Sequence, residues 1–254
     1  MLTARGARLR LLAGTAALLA SAALATGSAL PAAASTASHH RVLTYVALGD
    51  SYAAGQATDC THTASSYPER LDRLHRVKLL RDVTCAGATT ATVLSSQVGA
   101  IRRGVKLVTV TVGANDLGLA GVQAACAPAP SSVACLTAIE AGQAELPGLL
   151  ASLTTTYSAI AERAPRAEIL VTGYPPLVTS EPLASAEEAL NATIRSAVTA
   201  VAATGVNIRY VDVEFTGHTI GTAQPWFVLS GPNIFHPNPA GDRAIAAALA
   251  AAIR

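Results

Sequence analysis

The sequence predicts a single α/β domain, a three-layer α/β/α sandwich with a central parallel sheet. From residue 42 onward, short runs rich in apolar and β-branched residues alternate with longer stretches rich in Ala, Leu and Glu. Such alternation is typical of parallel strands joined by helices that cover both faces of the sheet. The chain has 254 residues, and neither a fixed-period repeat nor a long linker divides it, so we expect one core.

Residues 1–34 predict a secretory signal peptide rather than part of this core. Three arginines, Arg5, Arg8 and Arg10, precede an apolar stretch at 11–25, and small residues follow up to Ala34. The apolar stretch is shorter than the roughly 20 residues that a membrane-spanning helix needs. We therefore expect cleavage within residues 34–37, secretion of a mature chain of residues 35–254, and no stable membrane span after cleavage.

The net charge argues against one class of partner. The chain has 18 Lys and Arg residues against 16 Asp and Glu. Loss of the three N-terminal arginines leaves 15 against 16, so the formal charge changes from +2 to −1. Affinity for a nucleic-acid backbone depends on surplus positive charge. We expect no nucleic-acid partner, and a monomer is the simplest state for the mature chain.

Each strand and helix has its own local signal. The β-rich run at 42–48 stops at Gly49-Asp50 and predicts a buried strand. Ser66 and Glu69 have capping-box spacing with Pro68 in the first turn, which predicts a helix over 68–76. Further β-rich runs predict strands at 107–112, 168–172 and 208–213. Helix-favouring composition predicts helices near 136–163, 185–203 and 241–254.

The four cysteines, Cys60, Cys85, Cys126 and Cys135, are an even number in a chain predicted to be exported, where disulfides persist. Three pairings are open. We favour Cys126 with Cys135, which closes a short Pro/Ser-rich loop and leaves Cys60 with Cys85. A zinc site is the alternative, but no pair has CxxC spacing and no histidine follows at finger spacing. The surrounding segment 118–132 predicts a long loop, either a lid or a surface excursion.

Three residues that suit acyl transfer follow predicted strands. Ser51 comes directly after the first strand, at a turn that precedes a helix. Asn115 lies in the turn after residue 112 and offers a neutral donor for an oxyanion. His236 precedes the last helix and can act as a general base. Ligands of open parallel sheets bind beyond the carboxyl ends of the strands, so we expect these side chains to meet there.

Four blocks of the sequence resemble those of the SGNH, or GDSL, hydrolase family. They are Gly49-Asp50-Ser51-Tyr52, Gly87 after Cys85-Ala86, Gly113-Ala114-Asn115-Asp116 and His236-Pro237, in the order of the family. The stretch 49–55, the predicted signal and the paired cysteines look most like the secreted esterase and lipase branch of actinomycetes. The resemblance implies a flavodoxin-like SGNH hydrolase domain over 35–254.

The resemblance also implies a role for each residue. Ser51 is the nucleophile and His236 its base, and the oxyanion is held by the Ser51 and Gly87 amides and the Asn115 side chain. Glycine at 87 lets the backbone approach the reacting carbonyl. Asp50 is expected to cap the turn rather than transfer protons. Acyl transfer of this kind needs no cofactor or metal.

The sequence departs from the family at the residue that orients the histidine. The family usually has an aspartate three residues before the histidine, and this chain has Asn233 there. Some members of the branch use a backbone carbonyl instead. We therefore expect a Ser-His dyad whose His236 is held by a carbonyl at or near Asn233, with a dispensable Asn233 side chain. Asp212 is a less favoured substitute acid.

The substrate is expected to be a small-molecule or lipid ester. Tyr174-Pro175-Pro176, Trp226-Phe227 and Phe235 are candidates for an apolar acyl pocket or simply for the core. Lipase, general esterase, phospholipase and deacetylase all stay open. An alternative function is a non-catalytic secreted domain that binds acylated surface polymers, although a chain of that kind has no need of both Asn115 and His236. Asn191-Ala192-Thr193 matches a glycosylation sequon, to which no function is attached.

Overall fold

The domain is built on one five-stranded parallel sheet, with strand order β2-β1-β3-β4-β5. The computed structural model describes residues 42–129 and 131–254, so the predicted signal peptide lies outside the described residues. The strands are β1 (Leu43–Gly49), β2 (Val77–Asp82), β3 (Leu107–Thr111), β4 (Glu168–Thr172) and β5 (Ile208–Val211). The three-layer α/β/α fold class is confirmed.

Helices connect the strands and cover the sheet. They are α1 (Ser51–Ala54), α2 (Tyr67–Asp72), α3 (Thr90–Thr92), α4 (Leu119–Cys126), α5 (Val133–Ala144), α6 (Leu146–Arg163), α7 (Leu183–Ala202) and α8 (Pro239–Ala252). Helix α3 continues into a π-helical turn, Val93–Gln97, and a 3₁₀ turn, Val98–Ala100. Helix α6 packs on α7, and α2 packs on α8.

Burial explains why the central strands were predictable. Every residue of β3 and of β4 is buried. Strands covered on both faces are nearly continuous apolar runs, and that is the pattern the sequence shows. The core that surrounds them includes the fully buried Tyr45, Leu107, Leu153, Ile169 and Phe215.

Strand β2 was not predicted, and the helix predicted over 68–76 is too long. Helix α2 ends at Asp72, and β2 begins at Val77. Strand β2 lies at the edge of the sheet, beside β1 alone, and carries exposed Lys78 and Arg81. Charges of this kind protect an edge from pairing with other chains, and they also interrupt the apolar pattern that reveals a buried strand.

The long loop predicted over 118–132 is wrong in part, because it contains helix α4. The left-handed Gly118 begins this helix. The disulfide pairing Cys126–Cys135 then joins α4 to α5, and Cys60–Cys85 joins the loop after α1 to the loop after β2. Both bridges are the favoured ones. The helix predicted over 136–163 is two helices, separated at Glu145 and restarted with a proline in the first turn of α6.

Asp242, in the first turn of α8, is a buried carboxyl group with no partner. It is 1% exposed, and neither carboxyl oxygen has a hydrogen bond within the described part of the chain. Burial raises its pKa from 3.8 to about 7, which the nearby Ser65 hydroxyl and the charge of Arg70 only partly offset. Between these two values the folded state binds more protons than the unfolded state, so stability falls as pH rises.

We expect the free energy of unfolding to decrease as pH rises from about 4 to about 7, and Asp242→Asn to reduce that decrease. Near pH 8 the variant should be more stable than wild type by about 1–3 kcal/mol, because the neutral asparagine avoids the burial of a carboxylate charge. Denaturant titrations across this range measure both curves. Glu162→Gln, at an exposed site on α6, is the control. Parallel wild-type and Asp242→Asn curves would contradict the expectation.

Candidate active site

Ser51 and His236 meet at the carboxyl ends of the strands, as expected for an open parallel sheet. The Oγ atom of Ser51 lies 2.8 Å from Nε2 of His236. The two residues are 7% and 6% exposed. On the other side of the ring, Nδ1 lies 3.1 Å from the main-chain oxygen of Ile234. That oxygen can only accept, so Nδ1 carries the proton and Nε2 is free to accept one from Ser51.

The end of β1 fixes the position of Ser51. A side chain on Gly49 would place its Cβ 2.3 Å from the oxygen of Thr111, and the φ angle of +128° also favours glycine. The side chain of Gln97 bonds both the amide of Gly49, at 2.7 Å, and its oxygen, at 2.9 Å. Asp50 then caps α1 by accepting from the amide of Tyr52. Ser51 therefore begins the helix at a rigidly held turn.

A constrained loop presents His236. Phe235 has a φ angle of +68°, a conformation that is unfavourable for a residue with a side chain. Its amide donates to the oxygen of Val228, and its oxygen accepts from the hydroxyl of Tyr52 at 2.8 Å. The ring of Tyr52 also packs against that of His236, with centroids 5.2 Å apart. These contacts maintain the turn that directs the carbonyl of Ile234 at the imidazole.

The side chain of Asn233 points to another part of the molecule. Its Oδ1 atom accepts from the amide of Ala57 at 2.9 Å. The main-chain carbonyl of Ile234, one residue beyond Asn233, therefore orients the imidazole. Asp212 is exposed and is not among the partners of the imidazole. Burial lowers the pKa of His236, while the carbonyls of Ile234 and Asn233 act in the opposite direction. Burial thus favours the neutral imidazole, which is the form that can accept a proton at Nε2.

Gly87 and Asn115 lie on two loops that are bonded to each other. Nδ2 of Asn115 donates to the oxygen of Ala88 at 3.1 Å. The carboxylate of Asp116 accepts from the amide and hydroxyl of Thr90. Gly87 has a φ angle of +75°, and a Cβ there would meet open space. Position 87 therefore favours glycine because of its backbone conformation and not because neighbouring atoms would crowd a side chain.

The amides of Ser51 and Gly87 donate to no main-chain or side-chain acceptor within residues 42–129 and 131–254. Ser51 is the first residue of α1, where helical amides have no partner in the helix. Free backbone amides of this kind can donate to an oxyanion.

Beneath Ser51 lies a buried polar network that the sequence did not reveal. The hydroxyl of Tyr174 donates to Asp50 and accepts from the amide of Ala114 at 3.1 Å. The main chain of Tyr174 is itself held by the side chain of Asn191 through two hydrogen bonds. Burial raises the pKa of Asp50 to about 7, against its hydrogen bonds with Tyr174 and Tyr52. The network joins the ends of β1, β3 and β4.

An apolar cavity of about 320 Å³ opens beside the site. Ala114 and Phe235, the neighbours of Asn115 and His236, line it, as do residues of α4, α5 and α7. Of the predicted acyl-pocket residues, only Phe235 lies in this wall. Trp226 and Phe227 pack on Phe215 instead. Most of the wall was missed because it combines residues of α4, α5 and α7 with residues of several loops, which only the packing of the chain brings together.

Two further features concern other classes of site. The described residues contain no group of three or more His, Cys, Asp or Glu side chains arranged to hold a metal ion. Across the same residues, no helix combines the length and apolarity needed to span a bilayer.

Asn191, the sequon residue, is 8% exposed, and its amide is used within the fold.

The comparisons with known proteins agree with this geometry. The pattern that defines the GDSL-like Lipase/Acylhydrolase family matches residues 47–244, which include Ser51, Gly87, Asn115 and His236. The chain belongs to this family. Membership makes this GDSL-family protein a carboxylic ester hydrolase.

Relatives of this GDSL-family protein include lipases of Streptomyces. It is 32% identical to Lipase 1 of Streptomyces coelicolor, covering 88% of this chain and 92% of that one. It is 35% identical to a lipase of Streptomyces rimosus, over 89% and 91% of the two chains. Among solved structures, the extracellular lipase of Streptomyces rimosus has a TM-score of 0.72 at 29% identity, covering 84% of this chain and 100% of that one. Phospholipase A1 of Streptomyces albidoflavus has a TM-score of 0.73 at 28% identity, covering 83% and 99%.

We expect Tyr174→Phe to destabilise the protein by about 1–3 kcal/mol, because it leaves the buried Asp50 and the amide of Ala114 without their partner. Thermal and denaturant unfolding measure the change. Tyr210→Phe is the control, since Tyr210 lies on the half-exposed β5. Equal stability of Tyr174→Phe and wild type would show that the network does not support the fold.

Proposed function

We propose that this protein is a secreted serine esterase of the lipase type, which hydrolyses esters with apolar acyl chains through a Ser51-His236 dyad. The observation that carries the proposal is the 2.8 Å contact between Ser51 Oγ and His236 Nε2, beside an apolar cavity whose wall includes the adjacent Phe235. A main-chain carbonyl replaces the usual aspartate as the partner of the imidazole.

The mechanism follows from the orientation of the two groups. His236 Nε2 takes the proton of the Ser51 hydroxyl while Oγ attacks the ester carbonyl carbon. The imidazolium then donates that proton to the leaving alcohol, and an acyl-enzyme forms. Water, deprotonated by the same Nε2, releases the acid and restores the serine. The carbonyl of Ile234 holds the ring throughout by accepting from Nδ1.

The oxyanion of each tetrahedral intermediate is assigned to three donors. They are the amides of Ser51 and Gly87 and the carboxamide of Asn115. The first two have no protein partner within the described residues, so an incoming oxygen displaces no internal hydrogen bond. Asn115 is held in place by Ala88, and fixed donors of this kind stabilise developing charge without reorganisation.

The acyl chain is assigned to the cavity formed by α4, α5 and α7. Its wall is almost wholly apolar, and burial of apolar surface contributes about 0.8 kcal/mol for each CH₂ group. The names of the relatives, lipases and a phospholipase A1, support esters of this class. We assign residues 1–34 to export and 35–254 to the hydrolase domain, in keeping with the two disulfides.

We expect Ser51→Ala to lower kcat on p-nitrophenyl esters by at least about 10³-fold, because the acyl acceptor is lost. The assay uses the mature, oxidised protein and a series of acyl lengths, and the length optimum reports the fit of the cavity. Ser152→Ala, at a partly exposed serine on α6, is the matched control. Retention of activity in Ser51→Ala would refute the assignment of the nucleophile.

We expect Asn233→Ala to reduce kcat by less than about tenfold, whereas His236→Ala reduces it by at least about 10³-fold. The Asn233 side chain contacts the Ala57 amide and not the imidazole, so its removal leaves the Nδ1 acceptor in place. Steady-state kinetics at matched thermal stability measure both. A loss in Asn233→Ala as large as that in His236→Ala would overturn the backbone-carbonyl dyad.

A further inference from the structure

One ionisable side chain lies in the wall of the apolar cavity. Glu187, on α7, is the only lining residue among those the structure describes that can change its charge, since Cys126 is in a disulfide. Its carboxyl group accepts from the amide of Leu177 at 3.0 Å. The catalytic mechanism does not use it.

Among the described residues, none of those that line the cavity with Glu187 carries a positive charge that would balance a carboxylate. Helices α4 and α5 contribute the neutral Gln123 and Gln143, and the loops after β4 and before α8 contribute Val178, Ile220 and Phe235. Tyr52, on α1, interacts with Glu187, and burial keeps the pKa of Tyr52 well above the usual value, so Tyr52 stays neutral. Burial likewise raises the pKa of Glu187 to about 8, against its bonds to the Leu177 and Val178 amides.

We infer that Glu187 determines acyl specificity by its charge, admitting a long apolar chain when it is uncharged and excluding it when it is a carboxylate. The inference rests on the proposed function, because it takes the cavity to be the acyl site. It makes Glu187 a specificity-determining residue for the ester hydrolysis, distinct from the residues that carry the reaction.

The physical reason is desolvation. An apolar chain that fills the cavity removes the water that solvates the wall. A neutral carboxyl group bonded to main-chain amides loses little by this, whereas a carboxylate loses the solvation of a full charge and gains no counter-ion. A short acyl group, which leaves the wall near Glu187 hydrated, is not affected in the same way. The charge of Glu187 therefore changes the preference between long and short acyl chains.

The test is the ratio of kcat/KM for p-nitrophenyl decanoate to that for p-nitrophenyl butyrate, measured below the concentration at which the esters aggregate. Titration of His236 affects both esters and cancels in the ratio. In wild type we expect the ratio to fall about tenfold between about pH 6 and pH 9.5, mainly through a higher KM for the decanoate. In Glu187→Gln, which keeps an oxygen acceptor for Leu177, we expect a ratio that does not vary with pH.

Asp242→Asn is the matched control, because Asp242 is a buried carboxyl with a raised pKa that does not line the cavity. It should retain the wild-type fall. A constant ratio in wild type, or an equal fall in Glu187→Gln, overturns the inference while Ser51-dependent hydrolysis leaves the proposed function intact. Hydrolysis that survives Ser51→Ala overturns both. The wild-type profile decides the matter even if Glu187→Gln does not fold.

Discussion

The site depends on how closely β1 and β3 approach where both strands end. Gly49 pairs with Thr111, and the contact leaves no room for a Cβ atom. The amide of Asp50 then donates to the Thr111 oxygen at 2.9 Å, which turns the chain sharply into α1. The turn that exposes the serine and the turn that carries Asn115 are thus extensions of two adjacent, hydrogen-bonded strands. Their separation is set by sheet geometry rather than by flexible side chains.

Much of this arrangement could be predicted from the sequence, because it rests on local signals. The buried strands have continuous apolar runs, and the serine, asparagine and histidine all follow predicted strands or precede a predicted helix. The edge strand β2 escaped prediction because Lys78 and Arg81 interrupt its pattern. The cavity escaped prediction because its wall combines residues of α4, α5, α7 and several loops that are far apart in the sequence. Tyr174 was a candidate for either the acyl pocket or the core, and its bond to Asp50 escaped prediction because the two residues are 124 positions apart.

Burial raises the pKa of several carboxyl groups among the described residues. Asp50, Glu187 and Asp242 are three of them. Asp50 lies beneath the serine, Glu187 in the cavity wall on α7, and Asp242 in α8, the helix that follows the histidine. Asp50 and Tyr174 support each other, because the hydrogen bond between them satisfies the buried carboxylate of one and the buried hydroxyl of the other. Buried acids thus recur in this fold. Asp50 supports the structure beneath the serine, whereas Glu187 lies where its charge can act on a ligand in the cavity.

The acceptor for His236 Nδ1 belongs to the peptide backbone, and this alters what natural variation can do to the catalytic centre. An aspartate in that position can be lost through a single codon change. Every amino acid residue has a backbone carbonyl, so substitutions at Ile234 that preserve the turn also preserve the hydrogen-bond acceptor. The feature that mutation can disrupt is instead the left-handed backbone at Phe235. The catalytic centre is therefore sensitive to the conformation of a loop rather than to the loss of a charged side chain. The side chain of Asn233 is therefore free to accept a hydrogen bond from the amide of Ala57.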